Sequence, residues 1–558
     1  MIHQRQHRVD TERAPSPIRP QSRPSPRLPT RPADPPVLVV GSGVGGLAAA
    51  IALASQGMAV TVLERGSVPG GKLAPTLLAG QPQDAGPTVL TLRSVFDALF
   101  DLAGQRLDDH LQLTPLATLA RHAWPDGSRL DLHADLEAAC AAMGEFGSAR
   151  AARDYRAFCA RSQAMHAVLD APYMRSQRPN PLSLAWRCGL AGLPALLRIS
   201  PFQTLWNELA GSFEDVRLRQ LFARYATYGG SSPLAAPATL MLIAHVERSG
   251  VWTVAGGMHR LAQALVRLAR SLGVQFLLDA EVTGLTLTQG TVAGLRWRGP
   301  GQADATPLAA RAVVFNGDVA ALADGLLGEP ARRAVPPQPL QQRSFSALTW
   351  DLRARVQDFP LLHHTVFFSA DYPAEFDDLV TRRQLPRQPT VYVCAHERLG
   401  EAGLPPGGDA DEGLLCLVNA PAGRPGDPHC HALSDKEIAA CETRTFHHLA
   451  ALGLSLAPSP SAWQRCAPSH WAARFPATGG GLYGQATHGW QASFSRPAAR
   501  SRLPGLYLAG GSTHPGAGLP MAALSGLLAA QQILADRAGR TSIMSCPPVA
   551  TPGGTWMR

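Results

Sequence analysis

The chain has 558 residues, 45% of them hydrophobic and 17% charged, enough apolar material for two or three domains with substantial cores. That balance excludes a disordered chain, and no uninterrupted apolar run approaches the roughly 20 residues that a transmembrane helix needs. Net charge is +9, but seven arginines against three acidic residues in the first 36 positions supply +4 of it. The remainder is only mildly basic and carries no recognisable nucleic-acid module, so no nucleic-acid partner is expected.

Residues 1–36 are rich in Pro and Arg, lack apolar periodicity and read as a disordered tail without a secretory signal. Val37–Val40 then predicts a buried strand running into Gly41-Ser-Gly-Val-Gly-Gly46 and a helix of small residues. In such a dinucleotide fingerprint Gly41 makes the tight turn, Gly43 admits a pyrophosphate and Gly46 lets helix and strand pack closely. Gly57 ends the helix, and Val60–Leu63 forms a second strand. It closes on Glu64, placed to accept hydrogen bonds from an adenosine ribose, with Arg65 beside it. The fingerprint alone does not separate NAD from FAD. Gly70-Gly71-Lys72 lies just beyond it, and Asp84-Ala-Gly-Pro-Thr88 reads as a turn able to face a cofactor ring through Thr88.

Residues 181–203 are the most lipid-friendly stretch, yet two arginines, two glycines and an internal proline make them a poor transmembrane span. Core packing is the favoured reading. An interfacial helical pair with Trp186 and Arg187 at headgroup depth is the other. Trp252–Met258 precedes a helix with Leu261, Leu265 and Leu268 on one face. The strand Gln275–Leu278 and the segment Glu281-Val282-Thr283 follow. Ala312-Val-Val-Phe-Asn316-Gly-Asp318 reads as a buried strand ending in a polar turn at the cofactor, with Asn316 in the turn.

Nine cysteines without a Cys-x-x-Cys pair suggest reduced thiols rather than a disulfide framework. His429-Cys430-His431 with His447-His448 superficially resembles a metal-ligand set, but the first group lies among Pro, Gly and Asp, so a solvated loop is expected and no metal. Near the C-terminus, Gly505–Ser525 combines a short strand, Leu506–Ala509, with Gly510, Gly511, Gly516 and Gly518 and a helix opened by Pro520. This arrangement aims a helix N-terminus at a ligand that gains negative charge, as a flavin does on reduction. Together with the glycine pair before Lys72 it favours FAD.

These segments resemble the bacterial-type carotenoid desaturases, relatives of phytoene desaturase within the flavin amine oxidase superfamily, over about residues 37–540. The Gly505–Ser525 stretch matches the phytoene-desaturase signature. Asp84–Thr91, Val95-Phe-Asp97, His245-Val-Glu-Arg248, Gly250-Val-Trp252, His363–Ser369, Pro389–Cys394, Leu482-Tyr-Gly484 and His488-Gly-Trp490 are most similar to the 1-hydroxycarotenoid 3,4-desaturases, the hydroxyneurosporene or methoxyneurosporene dehydrogenases. The resemblance implies that Gly41, Gly43, Gly46, Glu64, Gly71 and Lys72 hold the adenosine and diphosphate of FAD. Val282 would bracket the adenine, and Gly510, Gly511 and Met521 would line the ribityl chain and flavin ring. Lys72 stands where many relatives carry Arg, offering phosphate a point charge instead of a fork. His245, Glu247 and His514 are the candidates for proton acceptance or contacts to the substrate end.

The expected fold is α/β, α+β overall: a Rossmann-like FAD-binding domain of the flavin amine oxidase/glutathione reductase type, interrupted by a mixed-sheet substrate domain and a helical, membrane-facing subdomain. Its pieces would be FAD-binding at 37–105, 245–335 and 503–540, substrate domain at 106–149 and 336–502, helical subdomain at 150–244, and a tail at 541–558. The implied activity is FAD-dependent introduction of the C-3,4 double bond into 1-hydroxy- or 1-methoxy-carotenoids. The alternatives are a phytoene or neurosporene desaturase, or a polyene isomerase or non-catalytic lipid escort of the same fold. With one dinucleotide fingerprint, NAD(P) is not expected as oxidant. The resemblance implies a membrane quinone or dioxygen, and a cytoplasmic protein peripherally bound to the inner or photosynthetic membrane.

Overall fold

The computed structural model describes residues 34–198, 200, 202–399 and 411–539. At the centre of the nucleotide-binding part, Val37–Val40 is a run of β-branched and apolar residues that only a strand covered on both faces can bury. It occupies the middle of a five-stranded sheet, in the order Leu506–Leu508, Ala312–Phe315, Val37–Val40, Val60–Leu63, Gln275–Leu277. All four pairings are parallel, with Val37 opposite Ala312 and Val40 opposite Phe315. Strands distant in sequence therefore end together at one carboxyl edge, where open α/β sheets bind ligands.

The helix Val44–Ala54 is buried at every residue. Its small side chains let the C-terminal helix Leu519–Arg537 cross it closely: a Cβ on Gly526 would lie 2.1 Å from the Gly45 carbonyl oxygen. On another side it packs against His259–Ser271, whose leucines line one face. Asp84 fixes the start of that helix by accepting from the His259 backbone N–H at 3.0 Å and from its ring Nδ1 at 2.9 Å.

A second, seven-stranded sheet runs Ser455–Cys466, Ser346–Gln357, Glu412–Ala420, Val391–Ala395, His364–Phe367, Thr118–Ala123, Arg129–His133. It is antiparallel except where His364–Phe367 meets Thr118–Ala123. This sheet roofs the carboxyl edge of the first. Helices between residues 136 and 248 close the remaining side around the long helix Ala149–Leu169, whose N-terminus is capped by Ser148. Tilted aromatic rings knit them: Phe158 lies 4.6 Å from Phe222 and 5.3 Å from Phe213, centroid to centroid.

The expectation of core packing for residues 181–203 holds at Leu184 but not at Leu182, Trp186 or Phe202, and the side chains of residues 190–199 and 201 lie outside the described residues. The helix Pro181–Arg198 bends at Gly189, which takes φ 66°. Leu182 is 83% exposed, Trp186 71% and Phe202 76%, whereas Leu184 faces inward at 6%. No helix among the described residues is long and apolar enough to cross a membrane. Every described cysteine is free, and His429 and His431 lie exposed on a loop around the buried Cys430. The described residues instead bring His363, His364 and Cys394 within 4.8 Å of one another, although burial raises the Cys394 thiol pKa and lowers those of both imidazoles.

Candidate active site: a glycine cradle opening into an apolar chamber

The glycine turn is built for close approach. Gly41 sits at φ +95°, and a Cβ on Gly46 would fall 2.2 Å from the Gly41 oxygen. Asn316, from the polar turn after its strand, donates from Nδ2 to that same oxygen at 3.2 Å. It leaves no room for side chains on the turn: a Cβ on Gly43 would lie 2.9 Å from its Nδ2 and one on Gly45 2.6 Å from its Oδ1. Asn316, expected in a turn at the cofactor, lines the cavity and also braces the glycine turn. Gly45 was not singled out in the sequence, yet it is the most crowded position of the turn, since its Cβ would also meet Gly510 N at 2.8 Å and Ala522 O at 2.9 Å. The two glycine motifs, from opposite ends of the chain, touch there.

Glu64 accepts from Ser42 N–H at 2.8 Å, Ser42 Oγ at 2.6 Å and Gly66 N–H at 2.9 Å. A carboxylate has about four lone-pair sites, so one remains for a ribose hydroxyl. Arg65 turns aside and donates to the Arg474 carbonyl at 2.6 Å. Helix Val44–Ala54 begins at Gly43 and helix Leu519–Arg537 at Gly518, neither with a side-chain cap, so both present free amides to the cavity. Gly510 is pinned by its N–H to Ser525 Oγ at 2.7 Å, and Gly511 offers its carbonyl to Arg496 at 2.8 Å.

Four cations stand around this cradle. Lys72 donates to the Leu482 carbonyl and lies 5.2 Å over the Phe475 ring. Burial pushes its pKa down to about 8, with Arg343 and Arg474 adding to the effect and Asp318 opposing it. Arg474 donates to Gly71 O at 2.8 Å and Arg343 grips Asp318 at 2.9 Å. Arg496, which no sequence signal marked, donates to Tyr483 O at 3.0 Å and Gln485 O at 2.8 Å as well as to Gly511.

One cavity of about 1240 Å³ contains all of this. Its wall includes Gly41, Gly43, Glu64, Arg65, Gly71, Lys72, Thr88, Val282, Asn316, Gly510, Gly511 and Met521; of the expected cofactor residues only Gly46 stands behind it. The cavity continues from the cradle into an apolar chamber of Leu184, Leu240, Ile243, Val246, Leu417 and Phe494 and reaches the surface beside Phe202 and Trp490. Two hydrogen-bonded polar groups adjoin the chamber. Thr88 Oγ1 is 2.7 Å from Tyr392 OH, which is 2.7 Å from His364 Nδ1. Tyr228 donates to Glu247 and accepts from Arg224 Nη1 at 2.7 Å, and Tyr225 donates to Glu247 Oε2 at 2.7 Å.

Of the candidate proton acceptors, Glu247 lines this chamber, while His245 and His514 stand outside its wall. His514 spends Nε2 on the Tyr173 and Ser176 carbonyls at 2.9 and 3.0 Å, and burial lowers its pKa to about 4. His245 packs 4.9 Å from the His166 ring, and burial likewise lowers it to about 4. Arg224 and Tyr228, on one short helix, went unmarked, as did Tyr392 within the quoted Pro389–Cys394 stretch, because only the tertiary fold brings them to the cavity beside Glu247 and Thr88.

The donor set fits a dinucleotide flavin: glycines that a Cβ would block, two uncapped helix starts, and a buried lysine with no carboxylate bonded to it among the described residues. Comparison with known proteins agrees. Residues 44–534 match the family model described as flavin containing amine oxidoreductase. The hydroxyneurosporene desaturase of Rubrivivax gelatinosus is 48% identical over 500 residues, covering 89% of this chain and 93% of that protein. Its namesake from Cereibacter sphaeroides is 46% identical, covering 91% and 99%. Among solved structures, a putrescine oxidase bound to putrescine superposes with TM-score 0.54 at 16% identity over 91% of this chain and 99% of that one. The fold of a conjugated-linoleic-acid-producing fatty acid isomerase from P. acnes is also similar, with TM-score 0.51 at 12% identity over 91% and 99%. The chain therefore belongs to the flavin-containing amine oxidoreductases, as one of their carotenoid desaturases, with FAD as its cofactor.

Proposed function

We propose that this enzyme introduces the C-3,4 double bond into a 1-hydroxycarotenoid such as 1-hydroxyneurosporene. The observation that carries this reading is the continuity of one cavity from the glycine cradle into a largely apolar chamber that holds two hydrogen-bonded polar groups, Thr88 with Tyr392 and Arg224 with Tyr228 and Glu247. An acyclic polyene with one oxygenated end has the same distribution of polarity.

Bound FAD supplies a two-electron acceptor for the allylic hydride of C-4. What remains is a cation spread over the polyene, and loss of the C-3 proton then completes the double bond. The chain's own work is alignment and exclusion of water. Leu240, Ile243 and Val246 confine the polyene, while the cradle fixes the acceptor against it. A cation so acidic needs only a weak base, and the hydroxyl chain from Thr88 through Tyr392 to the neutral His364 is a route by which that proton can leave.

A carotenoid and a quinone both reside in lipid, so the mouth should face a membrane, with a membrane quinone or dioxygen as terminal oxidant. The exposed Leu182, Trp186 and Phe202 favour peripheral docking from the cytoplasmic side, since large exposed apolar groups beside a cavity mouth suit an interface. Expression in cells that accumulate either 1-hydroxyneurosporene or phytoene tests the reaction. A red-shifted product from the hydroxylated substrate alone supports it, and conversion of phytoene would move the enzyme to the general desaturases.

A further inference from the structure

If the reaction is the one proposed, the substrate's hydroxyl must be read close to the flavin and not at the far end of the chamber. C-1 and C-3 are separated by a single carbon, about 2.5 Å apart at ordinary bond lengths and angles. Any group that recognises the C-1 oxygen therefore lies within a side chain's width of the reacting bond.

Packing links the cradle to one polar patch. A Cβ on Gly71 would touch Gly43 Cα at 3.0 Å, and one on Gly86 would be 2.0 Å from Lys72 O, so the turn carrying Thr88 is locked against the cradle. Thr88 reaches Tyr392 at 2.7 Å, and Tyr392 lies within electrostatic range of Tyr228. Tyr228, Arg224 and Glu247 face the same cavity.

The pairing of Arg224 differs from that of two other buried arginines, Arg398 and Arg343; Arg496, also without a bonded carboxylate among the described residues, spends its donors on three backbone carbonyls. Arg398 forks onto Glu412 at 2.8 and 2.6 Å, and Arg343 grips both oxygens of Asp318. That is how a buried guanidinium is normally compensated. Arg224, 7% exposed, instead donates to a phenol oxygen, and its Nε finds no partner among the described residues. Glu247, 5% exposed, is held by two phenols and by no cation directly, and its carboxylate retains lone pairs. An unclosed ion pair costs stability in an apolar chamber unless a ligand completes it.

We infer that Arg224, Tyr228 and Glu247 form the recognition site for the substrate's C-1 hydroxyl. The hydroxyl accepts from the Arg224 guanidinium and donates to a free lone pair of Glu247, while Tyr228 holds the two charges at the spacing that a bridging O–H requires. This rests on the proposed reaction and goes beyond it by naming the residues that set substrate choice.

The test is equilibrium binding of 1-hydroxyneurosporene and of neurosporene to FAD-loaded protein in detergent, read from perturbation of the flavin spectrum. Wild type should prefer the hydroxylated ligand by about 10- to 100-fold, the range for a buried polar site left unpaired by the analogue. Tyr228→Phe keeps the ring and should reduce the preference to about 3-fold or less, chiefly by weakening the hydroxylated ligand. Tyr225→Phe removes a matching bond to Glu247 from outside the cavity wall and should leave the preference within about 3-fold of wild type. If Tyr228→Phe folds poorly, Glu247→Gln carries the same criterion at unchanged volume. A wild-type preference retained by Tyr228→Phe, or by Glu247→Gln in its place, overturns the inference. Pigment analysis of the wild-type sample separates the two levels: failure to convert 1-hydroxyneurosporene overturns the proposed reaction and this inference with it.

Discussion

Replacing Gly45 by alanine probes the joint on which the cofactor site depends. The added Cβ would lie 2.6 Å from Asn316 Oδ1, 2.8 Å from Gly510 N and 2.9 Å from Ala522 O. Two of these atoms are backbone, so no rotamer change relieves them, and the helix Val44–Ala54 must move away from the flavin-edge turn. Overpacking of this kind costs about 3 kcal/mol at the upper end of its usual range. Better helix propensity returns about 1 kcal/mol, so the net loss should be about 2 kcal/mol. Because the shift separates the two halves of the cradle, FAD affinity should fall by at least about tenfold. Urea unfolding of FAD-loaded and FAD-stripped protein, with flavin fluorescence titration, measures both. Gly57→Ala is the control: Gly57 has φ +73° with nothing within 4 Å of its Cβ, so it should lose about 1 kcal/mol from backbone strain alone and keep FAD. A Gly45→Ala protein as stable and as tightly flavinylated as wild type would refute the close joint.

Lys72, whose pKa is lowered to about 8, should be charged below that pH and neutral above it, so FAD affinity should decline as pH rises from about 7 to 9. In the apoprotein the sign reverses: between about 8 and 10.5 the unfolded lysine binds more protons than the folded one, so stability from this group rises with pH, and Lys72→Met should abolish both slopes. Asp351 has no hydrogen-bond partner on either oxygen among the described residues, and burial, with Asp84 behind it, raises its pKa to about 7. Its folded form holds a proton that the unfolded form has lost, so it costs stability as pH climbs from about 4 to 7. Asp351→Asn should be more stable than wild type by about 1–3 kcal/mol at pH 8 in thermal unfolding, with the gain vanishing near pH 4. Glu64→Ala frees Ser42 and Gly66 from their acceptor and should weaken FAD binding by about 10- to 100-fold, and unchanged affinity by titration would count against the ribose placement.

Legibility in the sequence followed how local the physics was. Strand, glycine turn and helix start are fixed within a dozen residues, so Gly41, Gly43 and Glu64 and the glycines from Gly510 to Gly518 could be placed from spacing, whereas Met521 came from the family resemblance. Gly45 was overlooked because its constraint comes from Asn316, Gly510 and Ala522, hundreds of residues away. Tyr228 and Arg224 carry no motif, and Tyr392 drew no role within Pro389–Cys394, since a buried phenol reads like any core aromatic until its neighbours are known. His514 stood out through its place in the flavin-edge stretch, but its ring serves the Tyr173 and Ser176 carbonyls. Composition could not tell exposed from core-forming positions at Leu182 and Trp186, because an apolar side chain reads the same in either place.

The central claim is that one cavity holds the flavin and the carotenoid end in contact. Mixing FAD-loaded protein with 1-hydroxyneurosporene under strictly anaerobic conditions, without quinone, tests it most directly. The account predicts that flavin absorbance bleaches in step with formation of one more conjugated double bond, at no more than one product per flavin. Product formed while the flavin stays oxidised, or substrate bound with neither change, would contradict it.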